Sequence, residues 1–186
     1  MQAQVARRMF TTDEFHRMAE AGILSEDDRV ELIEGEIVQM SPIGSVHAAC
    51  VDRLNAMFVR RLAGRVIVRV QGPIVLGRHL EPQPDLVVLK PRADFYQANH
   101  PGPSEVFLVV EVMDTSEDYD RGRKLPLYAR ARIPEVWLVD LVHEWIDAYR
   151  EPAFRGYRER QQAARGQRVS AAAFPRTTFR VNEILG

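Results

Sequence analysis

Three residues of this chain, Asp85, Glu111 and Lys124, have the types and settings needed for chemistry on a charged substrate. Asp85 follows Pro84 and leads the apolar run Leu86-Val87-Val88-Leu89, and Glu111 lies near the end of Val106-Phe107-Leu108-Val109-Val110-Glu111-Val112. Both runs are short, rich in branched residues and bounded by Pro or Gly, which predicts buried strands. A carboxylate at the end of a buried strand loses hydration, so it needs a cation, a hydrogen-bond donor or a proton. Two on neighbouring strands suit a divalent metal. Hard oxygen ligands, with part of the shell left to water and phosphate, are what Mg²⁺ takes. Taken singly, each carboxylate has a plain alternative as a solvated strand end with no role. Lys124 stands out by composition: among 25 basic residues only Lys90 and Lys124 are lysines. A compact ammonium is a better neighbour for a water nucleophile and a scissile phosphate than a wide planar fork.

The elements that must position these residues follow from patterning. Thr11 and Glu14 match a capping box, and Phe15, Met18 and Ala19 give the following helix one apolar face up to Gly22. Residues 29–33 and 36–40 flank Glu34-Gly35 and predict a hairpin with a tight turn. From His47 to about Ala63, apolar residues that include Cys50, Leu54 and Phe58 recur at helical spacing and end at Gly64. Residues 65–76 read as one strand with a break or bulge at Gly72-Pro73. After the Asp85 strand, a Pro-rich loop and the Glu111 strand, residues 116–132 predict a helix with Ser116 as N-cap, Glu117, Asp118 and Asp120 in its first turns and a kink at Pro126. In an unbroken helix Asp120, Lys124 and Tyr128 share one face, directed at the sheet end that carries Glu111; an exposed i,i+4 Asp-Lys pair is the alternative. Residues 135–140 form the next buried strand, reached by a right-handed parallel crossover. Trp145 to Tyr149 and Tyr157 to Gln161 make an antiparallel pair, and Phe174, Phe179, Val181, Ile184 and Leu185 pack back as a short strand and terminal turn.

Composition bounds the rest. At 186 residues and 46% hydrophobic, with no repeat or interior linker, residues 1–186 are expected to form a single domain with a proper core. No apolar run approaches the roughly 20 residues of a bilayer span, and the N-terminus has no secretion signal; a cytoplasmic protein with no membrane partner is expected. A single Cys50 excludes an intramolecular disulfide and a thiolate zinc site. Net charge −1 argues against an indiscriminately basic nucleic-acid coat, although the segment from Arg150 on is rich in arginine and could contact phosphates or be ordinary surface. Phosphate-binding glycine loops are absent, which leaves no organic cofactor to expect. His16, His79, His100 and His143 lack metal-ligand spacing and are set aside.

Helix, strand, strand, strand, helix, strand, with carboxylates on the second and third strands, resembles the PD-(D/E)xK nuclease superfamily. More narrowly, the chain resembles the Uma-type restriction endonuclease family. The likeness is carried by residues 31–38 (ELIEGEIV), Ser41-Pro42, His47, Pro84-Asp85, Val110-Glu111-Val112, Asp120 with Lys124, Tyr128 and residues 133–140 (IPEVWLVD), from about Thr11 to Tyr149. The resemblance implies an α/β restriction-endonuclease-like core: a mixed central sheet flanked by helices, with an N-terminal helix and hairpin and a C-terminal β extension. It implies metal-dependent endonucleolytic hydrolysis of DNA with Mg²⁺, or Mn²⁺, held by Asp85, Glu111 and the carbonyl of Val112. Asp85, Glu111 and Lys124 would be catalytic, and Glu31, His47, Asp120 and Tyr128 auxiliary. Cutting both strands needs two sites, hence a homodimer. One position departs from the superfamily pattern: Met113 stands where a lysine follows the second acid, so Lys124 must substitute from the next helix. A noncatalytic module that keeps the fold to bind nucleic acid or protein is the alternative.

Overall fold

The computed structural model describes residues 7–25, 27–114 and 119–186. Six strands form the central sheet, in the spatial order β3 (Ile67–Val70), β4 (Leu86–Leu89), β5 (Val106–Met113), β6 (Glu135–Asp140), β7 (Trp145–Ala153) and β8 (Gly156–Ala164). Neighbours are antiparallel except β5 and β6, which run parallel, as the strand-helix-strand spacing predicts. Alternation along β4 and β5 sends side chains to two apolar layers. Leu86, Val88, Leu108, Val110 and Val112 meet one face, covered by α2 (Ser45–Arg61) and the C-terminal residues Phe179, Val181 and Ile184. Val87, Leu89, Val109 and Met113 meet the other, with Leu125, Tyr128 and Ile133. Both faces are therefore covered, which is why the middle strands read as continuous apolar runs.

Sequence signals hold at the N-terminal end and in part at the C-terminal end. In α1 (Thr12–Glu20) the Glu14 amide donates to Thr11 Oγ1 at 3.2 Å and the Thr11 amide to Glu14 Oε2 at 3.0 Å. Strands β1 (Val30–Ile33) and β2 (Glu36–Gln39) pair antiparallel around Glu34 and Gly35, both at positive φ, as a two-residue hairpin of this twist requires. The hairpin joins the rest through a bridge between Leu32 and Glu81. At the other end β9 (Arg168–Ser170) pairs with β10 (Thr178–Arg180), and α4 (Val181–Leu185) closes the chain, giving two short strands where one was expected.

Two local expectations change. The strand expected over 65–76 leaves the sheet after Val70: Gln71 turns at φ 46°, and the amides of Ile74, Val75 and Leu76 donate to the carbonyls of Pro82, Pro101 and Leu80 instead. The helix expected over 116–132 has its proposed N-cap Ser116, with Glu117 and Asp118, outside the described residues. Its next turn, Asp120–Lys124, is π-helical, with the Leu125 amide donating to the Asp120 carbonyl, and α3 (Leu125–Arg130) continues it. Pro126 follows at once in α3, so its missing N–H falls where the hydrogen-bond pattern changes from the π to the α spacing. The wider turn thus stands where a proline kink was expected. Among the described residues no helix is long and apolar enough to cross a membrane.

Candidate functional site

Asp85 immediately precedes β4, and Glu111 lies on β5 beside it. Each carboxylate is fixed by the other's strand: the Asp85 amide donates to Glu111 Oε2 at 3.2 Å, and the Val112 amide to Asp85 Oδ2 at 2.8 Å. This reciprocal clamp sets two acids side by side at one end of the sheet. Val112 faces the opposite apolar layer, so only its main chain is available to the site.

Lys124 reaches this pair from the π-helical turn. Its Nζ lies 3.2 Å from Glu31 Oε2, 3.4 Å from Glu111 Oε1 and 3.9 Å from Asp120 Oδ1, and the side chain is only 7% exposed, which excludes the exposed-pair alternative. Tyr128, one turn further, donates to Glu111 Oε1 at 2.5 Å. Asp120, Lys124 and Tyr128 therefore share a face despite the change of helix type. Glu31 is nearly as central as Lys124: it is buried and accepts from the Gln83 amide at 3.1 Å and the Tyr119 hydroxyl at 3.4 Å. His47, in the first turn of α2, places Nε2 3.1 Å from Asp85 Oδ2, while its buried Nδ1 has no hydrogen-bond partner among the described residues. The acids and bases line one cleft of about 340 Å³, which Arg29 and Asp114 also border.

Burial and charge compete here. Burial pushes the Glu111 carboxyl up from its ordinary value, Lys124 pulls it back, and Asp120 and Asp85 push it up again. For Lys124, burial works against the ammonium, but Glu111, Glu31 and Asp120 outweigh it and hold the proton more firmly than usual. The hydrogen bond to Asp85, which the protonated imidazole donates, raises His47 against the cost of its burial. Near the cluster of carboxylates, burial and the Glu31 charge push the Tyr119 phenol up to about 12.

Met113 is 1% exposed in the apolar layer with Val109, Leu125 and Ile133. Its place on β5 is filled by packing, and the ammonium comes from Lys124. Tyr119, Gln83, Asp114 and Arg29 belong to the cleft without having been singled out in the sequence. Tyr119 adjoins Asp120, which is a weak signal; the amide of Gln83 carries none.

A second cluster contradicts the setting aside of His16 and His100. His16, on α1, has Nε2 2.9 and 2.7 Å from the two oxygens of the buried Glu81, and His100 joins them so that one ligand atom from each lies within 4.8 Å of the others. The three can coordinate a divalent cation. Separations of 65 and 19 residues conceal the cluster in the sequence. His79 and His143 do other work: His79 Nδ1 meets the Phe10 carbonyl at 2.7 Å, and His143 pairs with Asp140 at 2.9 Å.

No curated protein matches the chain. Among solved structures, a protein described as "a putative nuclease belonging to DUF820 from Anabaena variabilis ATCC 29413" superposes with a TM-score of 0.73. It shares 16% sequence identity, and the match covers 95% of this chain and 97% of that one, a likeness of fold. The family model described as "Putative restriction endonuclease" (Uma2) matches residues 12–182. Covering nearly the whole chain, that match makes it a member of the Uma2 family, within the PD-(D/E)xK-like nucleases.

Proposed function

We propose that the chain is a Mg²⁺-dependent endonuclease that hydrolyses DNA phosphodiester bonds in the cleft between α2 and the Asp120–Lys124 turn. The observation that carries this reading is the position of Lys124, buried against Glu31 and Glu111 beside the Asp85–Glu111 clamp. A buried lysine ringed by three carboxylates, Glu31, Glu111 and Asp120, is a setting that a surface lysine does not have.

The donor set fits the metal: carboxylate oxygens of Asp85 and Glu111, with the Val112 carbonyl, are the hard ligands Mg²⁺ or Mn²⁺ takes. Bound there, the ion would lower the pKa of a coordinated water and offset charge on the phosphate. The chain's own groups supply the rest. Lys124 holds its proton, so it acts as a donor that orients the attacking water and stabilises developing negative charge. Glu31 and Asp120 aim the ammonium, and the Tyr128 hydroxyl fixes the rotamer of Glu111. His47, with its proton favoured by Asp85, is placed to approach a phosphate oxygen. A homodimer would bring two such clefts to the two strands of a duplex.

The test is cleavage of supercoiled plasmid, linear DNA and RNA of matched length with Mg²⁺ or Mn²⁺. Asp85→Ala, Glu111→Ala and Lys124→Ala should each abolish cleavage, with DNA preferred over RNA and two chains per particle by light scattering. A wild-type chain that takes up Mg²⁺ in calorimetry but cuts nothing would leave the noncatalytic module as the better account.

A further inference from the structure

We propose that His16, Glu81 and His100 form a Zn²⁺ site, distinct from the acidic cleft, that braces α1 and the loop before β5 against the segment leading to Asp85. The proposal goes beyond the nuclease reading and does not depend on it. Its donor atoms differ in kind from those of the cleft. Two imidazoles and one carboxylate are a set that zinc takes with three protein ligands and a remaining position for water. Imidazole selects Zn²⁺ and its transition-metal neighbours, whereas Mg²⁺ prefers oxygen. The two sites should therefore fill independently from a mixture of both ions.

The geometry is prepared without help from the ligands. The Thr12 amide donates to the Arg78 carbonyl at 2.8 Å, which holds the start of α1. Glu81 and Leu32 exchange main-chain hydrogen bonds at 2.8 and 3.2 Å. The Val75 amide donates to the Pro101 carbonyl at 2.9 Å, and the Ile74 amide to the Pro82 carbonyl at 3.1 Å, so the residues that follow His100 and Glu81 are tied to one short stretch. A site whose supporting shell is already rigid loses less freedom when an ion enters. The second observation is burial. Glu81 is 3% exposed, and its carboxylate meets a single side-chain partner among the described residues, the Nε2 of His16. A buried carboxylate shared with one imidazole and faced by a second is poorly satisfied by a lone hydrogen bond and well satisfied by a dication.

The location suggests what the ion does. From Glu81 the chain runs Pro82-Gln83-Pro84-Asp85, and two prolines make this a stiff connection. Along it the Gln83 amide holds Glu31. An ion on Glu81 would thus anchor one end of the segment whose other end carries the first acid of the cleft.

The probe is Co²⁺, a spectroscopic stand-in for Zn²⁺, added to chelator-stripped protein in excess Mg²⁺. One Co²⁺ per chain should bind with the intense visible absorption of a low-coordinate nitrogen-ligated ion, and Zn²⁺ should displace it where further Mg²⁺ does not. His100→Ala, at an exposed loop position that leaves the folded chain intact by circular dichroism, should weaken binding at least about tenfold. Asp85→Ala should leave it unchanged. Absence of Co²⁺ uptake, indifference to His100→Ala, or loss of the ion in Asp85→Ala would each overturn the assignment. Because none of these readings is an activity, they stand whether or not the chain cleaves DNA.

Discussion

At the scale of single residues, the cleft is a balance of unlike charges removed from water. Glu31, Glu111 and Asp120 are each at most 5% exposed, and one ammonium of similar burial stands among them. Removing one partner of such a cluster leaves the others desolvated and unpaired, which costs more than a surface ion pair contributes. Lys124→Met should therefore lose cleavage and also destabilise metal-free protein by about 3 kcal/mol, measured by urea unfolding. Stability equal to wild type would mean that the ammonium is not paired as described. Cys50 shows the opposite case, a group kept neutral. Burial in α2 pushes its thiol up to about 11, with Arg53 opposing. Between its ordinary value near 9.0 and that raised value the unfolded chain sheds the proton and the native chain keeps it. The contribution of this burial to stability is thus fully present below about pH 9 and is lost as pH rises toward 11. Native protein at pH 8 should react with a thiol reagent only as fast as it unfolds, and in denaturant at once.

Elements were legible where one local cause dominates. The capping box of α1, the Glu34-Gly35 turn and the apolar stripe of α2 each depend on neighbours within a few residues, and each appears as the pattern implies. Asp85, Glu111 and Lys124 were legible for a related reason, since a charge at the end of an apolar run or a rare lysine is conspicuous without any fold. The structure adds causes that act across the chain. A main-chain acceptor on Pro101 draws Val75 out of the sheet, a π-helical turn sets the aim of Lys124, and His16, Glu81 and His100 meet only because three distant segments pack together. Gly35 tests an element-scale claim. It sits at φ 78°, and a Cβ there would come within 2.6 Å of Met9 Cβ and 2.9 Å of its Cα. Gly22 has a similar φ of 70° with nothing near. Gly35→Ala should lower stability by roughly 2 kcal/mol or more, from both backbone strain and the clash, and Gly22→Ala by about 1 kcal/mol from strain alone. Equal midpoints for the two variants in thermal unfolding would remove the packing between the hairpin turn and the segment before α1 from the account.

For the whole molecule the question is how a chain of net charge −1 would hold a polyanion. Three arginines of the C-terminal third are engaged within the chain. Arg150 is drawn to Glu135 and the Ser170 carbonyl, Arg160 to Asp147, and Arg165 to Glu144 and the terminal Gly186 carbonyl. The proposed cleft itself is lined by Glu31, Asp85, Glu111, Asp114 and Asp120 against Arg29, His47 and Lys124. Without a dication such a surface repels phosphate. If DNA is the substrate, its binding should therefore be conditional: fluorescence anisotropy with a labelled duplex should show little association in chelator and clear association in Ca²⁺, a hard ion that fills oxygen sites. Affinity should fall as salt rises, but with a shallow slope, because the cleft itself offers only Arg29, His47 and Lys124 to displace counterions from the backbone. Asp85→Ala should erase the Ca²⁺ dependence while leaving the weak residual binding untouched. Tight binding in chelator with a steep salt slope would place the nucleic acid on some other surface and separate the cleft from its proposed substrate.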